Sequence, residues 1–368
     1  MKSRHRLAAA FVTFFPLAGL AAVPPTFDAA VQDLARGWLA DNGGVGLSIG
    51  VYEDGQRRYY NVGTSRVDGD KVPTKDTVYE IGSIAKTFAA QLLARAVVEG
   101  RASLDDEVTK YLAQPYPNFT RDGEPIRLLH LVNMTSQLVD NIPDMTQVRT
   151  VPGTPLPVTK MEVFTKYSRE EMLRQLHRVA PRAAPGGDPG QSNVAAMLLM
   201  VVLEKIYDEP FDTLLAREIE KPLRMASGTA PPAKLLARGY TRANEELPPF
   251  EAPMAWVTGS LRYSARDLLE YAAWQVAERD ASVKIAHRPT WATPDQKQGI
   301  AFYWLTGDSP HGRRLFYSGV TFGFAGMCDL YPDARVAIVL LANKDAQRAQ
   351  ETLRALSAKI AALARPPD

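Results

Sequence analysis

The stretch Ile81–Ala90, IGSIAKTFAA, places a serine three residues ahead of a lysine where an apolar helical pattern begins. Residues three apart share a helix face, so the amine of Lys86 can reach the hydroxyl of Ser83. To accept a proton that amine must be neutral. Burial and the positive end of a helix both push a lysine in that direction. The same four residues also read as a capping serine and a solvated lysine. S-x-x-K alone arises by chance about once in several hundred residues of average composition. Its surroundings must decide.

On the N-terminal side, Phe27, Val31, Leu34 and Trp38 recur at helical spacing, and Asn42-Gly43-Gly44 closes that helix. Val45–Tyr52 and Arg58–Val62 then predict a hairpin about Asp54-Gly55. The C-terminal end mirrors this. Ile300–Thr306, Arg313–Tyr317, Phe324–Tyr331 and Val336–Ala342 read as consecutive strands, and Ala346–Leu363 as a closing helix. Between these ends the patterns are mostly helical: Ser83–Val98, a short helix from Asp105 or Asp106 to Leu112, Val194–Tyr207, Phe211–Ile219 and Ala265–Ala277. The proline-rich stretch 141–160 reads as a surface loop. The chain thus divides into a sheet lobe from 23–80 and 286–368, and a mainly helical lobe at 81–285. A cleft between the two suits a small-molecule site.

Composition narrows the function classes. The 368 residues are 46% hydrophobic and 23% charged, as in ordinary globular proteins. MKSRHR followed by LAAAFVTFFPLAGLAA has the basic and apolar parts of a signal peptide, with small residues at Gly19 and Ala21 for cleavage near Ala21 or Ala22. Residues 1–22 are therefore expected to be removed on export, leaving a periplasmic or secreted protein. The signal carries Lys2, Arg4 and Arg6 and no acid, so the formal charge of +2 becomes 2 − 3 = −1 in the mature chain. That gives no basis for a nucleic-acid partner. Cys328 is the single cysteine, so no internal disulfide forms. His5, His130, His177, His287 and His311 show no metal-ligand spacing. Neither a metal nor a cofactor is expected.

SIAK resembles the SxxK motif of the serine β-lactamase and penicillin-binding protein superfamily. Several further stretches resemble its class C β-lactamase branch in the same order. These are LLHLVNMTSQL at Leu128–Leu138, PGGDPGQSNVAAMLL at Pro185–Leu199, AWVTGSLRYSARDLLEY at Ala255–Tyr271 and YSGVTFGFAGMCDLYPDARVAIVLLANKD at Tyr317–Asp345. The resemblance implies an α/β (α+β) fold of the β-lactamase/transpeptidase type. Its features are an antiparallel five-stranded sheet flanked by terminal helices, an all-helical lobe, and a nucleophile opening the central helix. It implies catalysis through an acyl-enzyme on Ser83 with Lys86 as base, and an oxyanion hole from the amides of Ser83 and Val320.

Two motifs depart from the pattern. Tyr-x-Asn is replaced by Gln191-Ser192-Asn193, and glutamine cannot ionise. Asn193 retains the amide. Lys-Thr-Gly is replaced by Tyr317-Ser318-Gly319, which carries no cation. Lys86 is then the remaining base, with the phenol of Tyr317 pointing into the space beside Gln191. Ser318, Gly319 and Asn141 are candidate substrate contacts. Arg348, Arg313 and Arg314 are candidate replacements for the lost cation. If none serves, neutral esters or amides are favoured over β-lactams. The expected activity is that of a monomeric serine hydrolase, a carboxypeptidase, esterase or β-lactamase, on a small-molecule or peptide substrate of possible cell-wall origin. The alternative is a catalytically weakened relative that binds a cell-wall fragment or a protein.

Overall fold

The computed structural model describes residues 26–67, 69, 71–345 and 348–364; the expected signal, 1–22, lies outside them. The first helix, Phe27–Asp41, begins where the Thr26 hydroxyl accepts from the Ala29 amide at 3.3 Å and ends at Asn42. It leads into the predicted hairpin, Gly46–Glu53 with Gln56–Gly63. The C-terminal strands Gly312–Val320, Ala325–Tyr331 and Val336–Ala342 pair in sequence, and the last lies against Gly46–Glu53. The two chain ends therefore build one antiparallel sheet.

That sheet has eight strands among the described residues, not five. Beyond Gly312–Val320 it continues through Leu305–Ser309, Gln298–Ile300 and Trp291–Ala292. The expected strand Ile300–Thr306 is broken because its middle turns away to satisfy other backbone groups. Phe302 N donates to Ala286 O at 3.1 Å, and Tyr303 N to Val132 O at 2.7 Å.

Period-2 alternation explains why Val336–Ala342 reads as an unbroken apolar run. Val336, Ile338, Leu340 and Ala342 face the terminal helices, Phe27–Asp41 and Ala349–Ala361, together with Trp38, Leu353 and Leu356. Ala337, Val339 and Leu341 face the other way, into the larger core shared with the helices. At the centre of that core lies Ala85–Val98, of which 11 of 14 residues are buried. A helix apolar on all sides packs on all sides: it touches Ala281–Ala286, Asn193–Tyr207 and the turn at 256–260. Cys328 is buried in its strand, as expected of a small apolar residue.

Several helical expectations shift. The segment near Asp106 forms only a short turn, Val108–Tyr111. Phe211–Leu215 is α-helical and then widens into a looser turn through Glu220. The 141–160 stretch is not wholly loop, because helix Leu156–Thr165 begins inside it, with Pro155 fixing the entry.

Candidate active site

Ser83 sits in a tight turn, Gly82–Ile84, that runs directly into helix Ala85–Val98. Gly82 makes that turn at φ +58, a left-handed conformation free of penalty only for glycine. A Cβ on Gly82 would lie 2.5 Å from Val320 N. One on Gly319 would lie 2.1 Å from Ile81 O and 2.7 Å from Ser83 N. The serine turn and the end of strand Gly312–Val320 are therefore in backbone-to-backbone contact, with the amides of Ser83 and Val320 at the seam. Ser318 and Gly319 lie on this strand, opposite Met327 and Gly326.

Lys86 is 2% exposed, while Ser83 is half-buried. Burial pulls the amine down to about 8, and the carboxylate of Asp140 partly opposes this. A large fraction of Lys86 is thus neutral under mildly basic conditions, and it sits in the first turn of its helix, where the dipole also disfavours charge.

Tyr317 is buried, and its hydroxyl makes two long contacts, 3.5 Å to Gln191 Oε1 and 3.7 Å to Met134 Sδ. Burial raises this phenol to about 12, while the contact with Gln191 acts the other way. At neutral pH it is therefore a donor and not a base. Tyr303 stacks edge-on against it at 6.1 Å, with its own hydroxyl buried and unpartnered among the described residues.

Asn193 opens helix Asn193–Tyr207. Ser192 caps this helix, its hydroxyl accepting from Ala195 N at 3.0 Å and donating to Val139 O at 2.8 Å. The Asn193 amide nitrogen Nδ2 donates to Asn141 Oδ1 at 2.9 Å, and its backbone N to Asp140 O at 2.8 Å. Its Oδ1 is buried without a partner among the described residues, an acceptor available to an ammonium or a substrate N–H. Ser83, Lys86, Gln191, Asn193, Tyr317, Val320 and Asn141 thus converge from four separate stretches of chain.

The candidate arginines do not join them. Arg348 is exposed and paired with Glu351 at the start of the last helix. Arg313 pairs with Glu278 and Asp333, and Arg314 holds the fully buried Asp329. His130 is structural, its Nδ1 accepting from Arg127 N at 3.1 Å. Among the described residues no cluster of His, Cys, Asp or Glu could hold a metal ion, and no helix is long and apolar enough to cross a membrane.

Two acidic residues went unremarked in the sequence. Asp140 lies beside Asn141, and its field reaches both Lys86 and Tyr317. Glu80, three residues before Ser83, is 4% exposed. It accepts from Phe250 N at 2.8 Å and Thr321 Oγ1 at 2.7 Å, and burial raises it to about 7. It ties the segment before the serine to the wall beyond Val320.

The beta-lactamase family model matches residues 27–362. The D-alanyl-D-alanine-carboxypeptidase/endopeptidase AmpH of Escherichia coli K12 is 28% identical over 192 residues, 52% of this chain and 47% of that protein. A beta-lactamase of Lysobacter lactamgenus is 27% identical over 275 residues, 72% of this chain and 66% of that one. The chain therefore aligns with slightly less than half of one of these relatives and just under two thirds of the other. A solved beta-lactamase/D-alanine carboxypeptidase of Pseudomonas syringae superposes with a TM-score of 0.76 at 20% identity, covering 93% of this chain and all of that one. At such identity the superposition speaks to the fold alone.

Proposed function

The chain belongs to the beta-lactamase family, and we propose that it is an exported serine hydrolase that works through an acyl-enzyme on Ser83. The observation that carries this reading is Lys86: an amine 2% exposed, drawn down to about 8, three residues from a half-exposed serine. A buried amine is costly to keep, and a lone structural role does not require one. In the proposed cycle Lys86 takes the proton of Ser83 as the hydroxyl attacks a carbonyl. The amides of Ser83 and Val320 hold the resulting oxyanion. Asn193, Asn141, Ser318 and Gly319 orient the substrate, and Gln191 positions the phenol of Tyr317, which donates a hydrogen bond at the leaving group. Collapse expels that group with the proton, and water then releases the acyl chain by the same route.

The sheet lobe, 23–80 with 286–368, and the helical lobe, 81–285, form the proposed walls of the cleft. The substrate is an ester, a D-amino-acid peptide or a β-lactam-like carbonyl. The absence of a cation at position 317 supports neutral esters and amides ahead of β-lactams. The N-terminal pattern supports delivery to the periplasm or beyond.

The test is the intact mass of the mature protein after exposure to a fluorophosphonate and, separately, to a penicillin, with Ser83→Ala alongside. A fluorophosphonate adduct lost in the variant is expected. Absence of any adduct at Ser83 would favour a binding module over an enzyme.

A further inference from the structure

Beyond Val320 and Asn193 the site opens into a pocket of about 290 Å³. Of the proposed site residues Val320, Asn193 and Asn141 line it, whereas Ser83 and the proton-transfer groups Lys86, Gln191 and Tyr317 do not. A leaving group must depart beside the residue that returns its proton, so this pocket receives the part of the substrate that stays on the serine. The assignment rests on the acyl-enzyme reading above.

The pocket wall has two parts. One is aromatic: Phe250 stands edge-on to Phe164 at 5.8 Å and to Phe322 at 5.4 Å. These rings share a small apolar cluster, with Met161, that is separate from the main core. Glu80 fixes this wall from behind through Phe250 N and Thr321 Oγ1. The other part is a charge. Lys160 lines the pocket and lies one helical turn before Phe164, on the same face of helix Leu156–Thr165. Lys166 on that helix pairs with Glu162. Lys160, by contrast, belongs to no ion pair among the described residues, and the pocket lining includes no carboxylate.

We propose that Lys160 is a specificity determinant, selecting acyl groups with an apolar body that ends in a carboxylate: half-esters or half-amides of dicarboxylic acids. The aromatic rings take the body, Asn141 and Asn193 take the polar atoms near the scissile carbonyl, and the ammonium takes the far anion. Lys160 is half-buried beside this aromatic wall, and a charge-assisted hydrogen bond is among the stronger contacts available to a carboxylate there. The site thus lacks a cation where the leaving group sits and has one where the acyl chain ends.

The experiment compares p-nitrophenyl hydrogen glutarate, adipate and suberate with the methyl-ended esters of matching length, on wild type, Lys160→Met and Lys160→Glu. At the fitting length the carboxylate should raise kcat/KM by about tenfold, and added salt should shrink that preference. Lys160→Met should erase it while leaving the neutral esters within about twofold, and Lys160→Glu should reverse it. Absence of a preference at every length, or a preference indifferent to both substitutions, overturns the proposal. Calorimetry of Ser83→Ala with adipate monoanilide against hexananilide separates the two levels of inference. Discrimination by binding with no turnover anywhere sinks the acyl-enzyme reading and keeps Lys160. Ser83-dependent turnover without discrimination does the opposite.

Discussion

Replacing Lys86 with methionine should stabilise the protein while abolishing its chemistry. The amine falls from 10.5 in the unfolded chain to about 8 in the fold, chiefly through burial. At 1.36 kcal/mol per unit, that difference costs about 3 kcal/mol whenever the unfolded lysine is charged. Methionine keeps the length of the side chain and removes the charge, and no hydrogen bond from Lys86 is present among the described residues to be lost. The sign follows from proton counts. Between pH 8 and 10.5 the unfolded chain binds the extra proton, so wild type gains stability as pH rises through that window. The advantage of Lys86→Met is therefore full below pH 8 and fades towards pH 10.5. Urea unfolding of both proteins at pH 7 and pH 10 measures it directly. At pH 7 the variant should unfold about 3 kcal/mol later, equivalent to a few degrees in Tm, and by pH 10 most of that should be gone. Acylation of Ser83 should fall by roughly two to four orders of magnitude. A variant less stable than wild type at pH 7, or a gain independent of pH, would refute the account of a strained, partly neutral amine.

Three further outcomes follow from the same geometry. Acylation in wild type should rise roughly tenfold between pH 7 and pH 9, as Lys86 loses its proton around pH 8. Asp140→Asn, which removes the charge that favours the ammonium, should shift that rise to lower pH and speed acylation at pH 7 by roughly twofold, read by stopped-flow. Gly319→Ala should cut labelling of Ser83 at least tenfold, because the added methyl must displace the Ile81 carbonyl and the Ser83 amide, at 2.1 and 2.7 Å. Circular dichroism would show the fold retained.

The readable parts of this molecule are those in which a short-range pattern has a short-range cause. Ser83 and Lys86 share a helix face through three-residue spacing, and the terminal strands alternate between two cores, so both are visible along the chain. The sheet grew from five strands to eight because Trp291–Ala292 and Gln298–Ile300 are too short to carry a period. Their edge is defined by the turn at Ala301–Trp304, in which the amides of Phe302 and Tyr303 bond to distant carbonyls. Asp140 was hidden for a different reason. Its influence is a field across the cleft, set by Asn193 N and Asn141 Nδ2 holding its loop in place. Lys160 was hidden by the prolines around it, which read as loop although Pro155 begins a helix. The arginines proposed to replace the lost cation are each consumed by a nearby carboxylate, a pairing that spacing alone does not reveal.

The altered motifs have a joint consequence that neither has singly. A cation at the position of Tyr317 would favour the ionised form of a neighbouring phenol and equip it as a base. Here the phenol itself stands at that position, buried, raised to about 12 and facing an amide that cannot ionise. Between about pH 8 and pH 12 the site accordingly holds a neutral amine and a neutral phenol, one an acceptor and the other a donor. The substitutions thus separate the proposed roles: proton uptake falls to Lys86 and hydrogen-bond donation to Tyr317. At neutral pH only about a tenth of Lys86 is in the proposed working state, so the arrangement that leaves position 317 without a cation should also make acylation slow at pH 7 and faster in mild base.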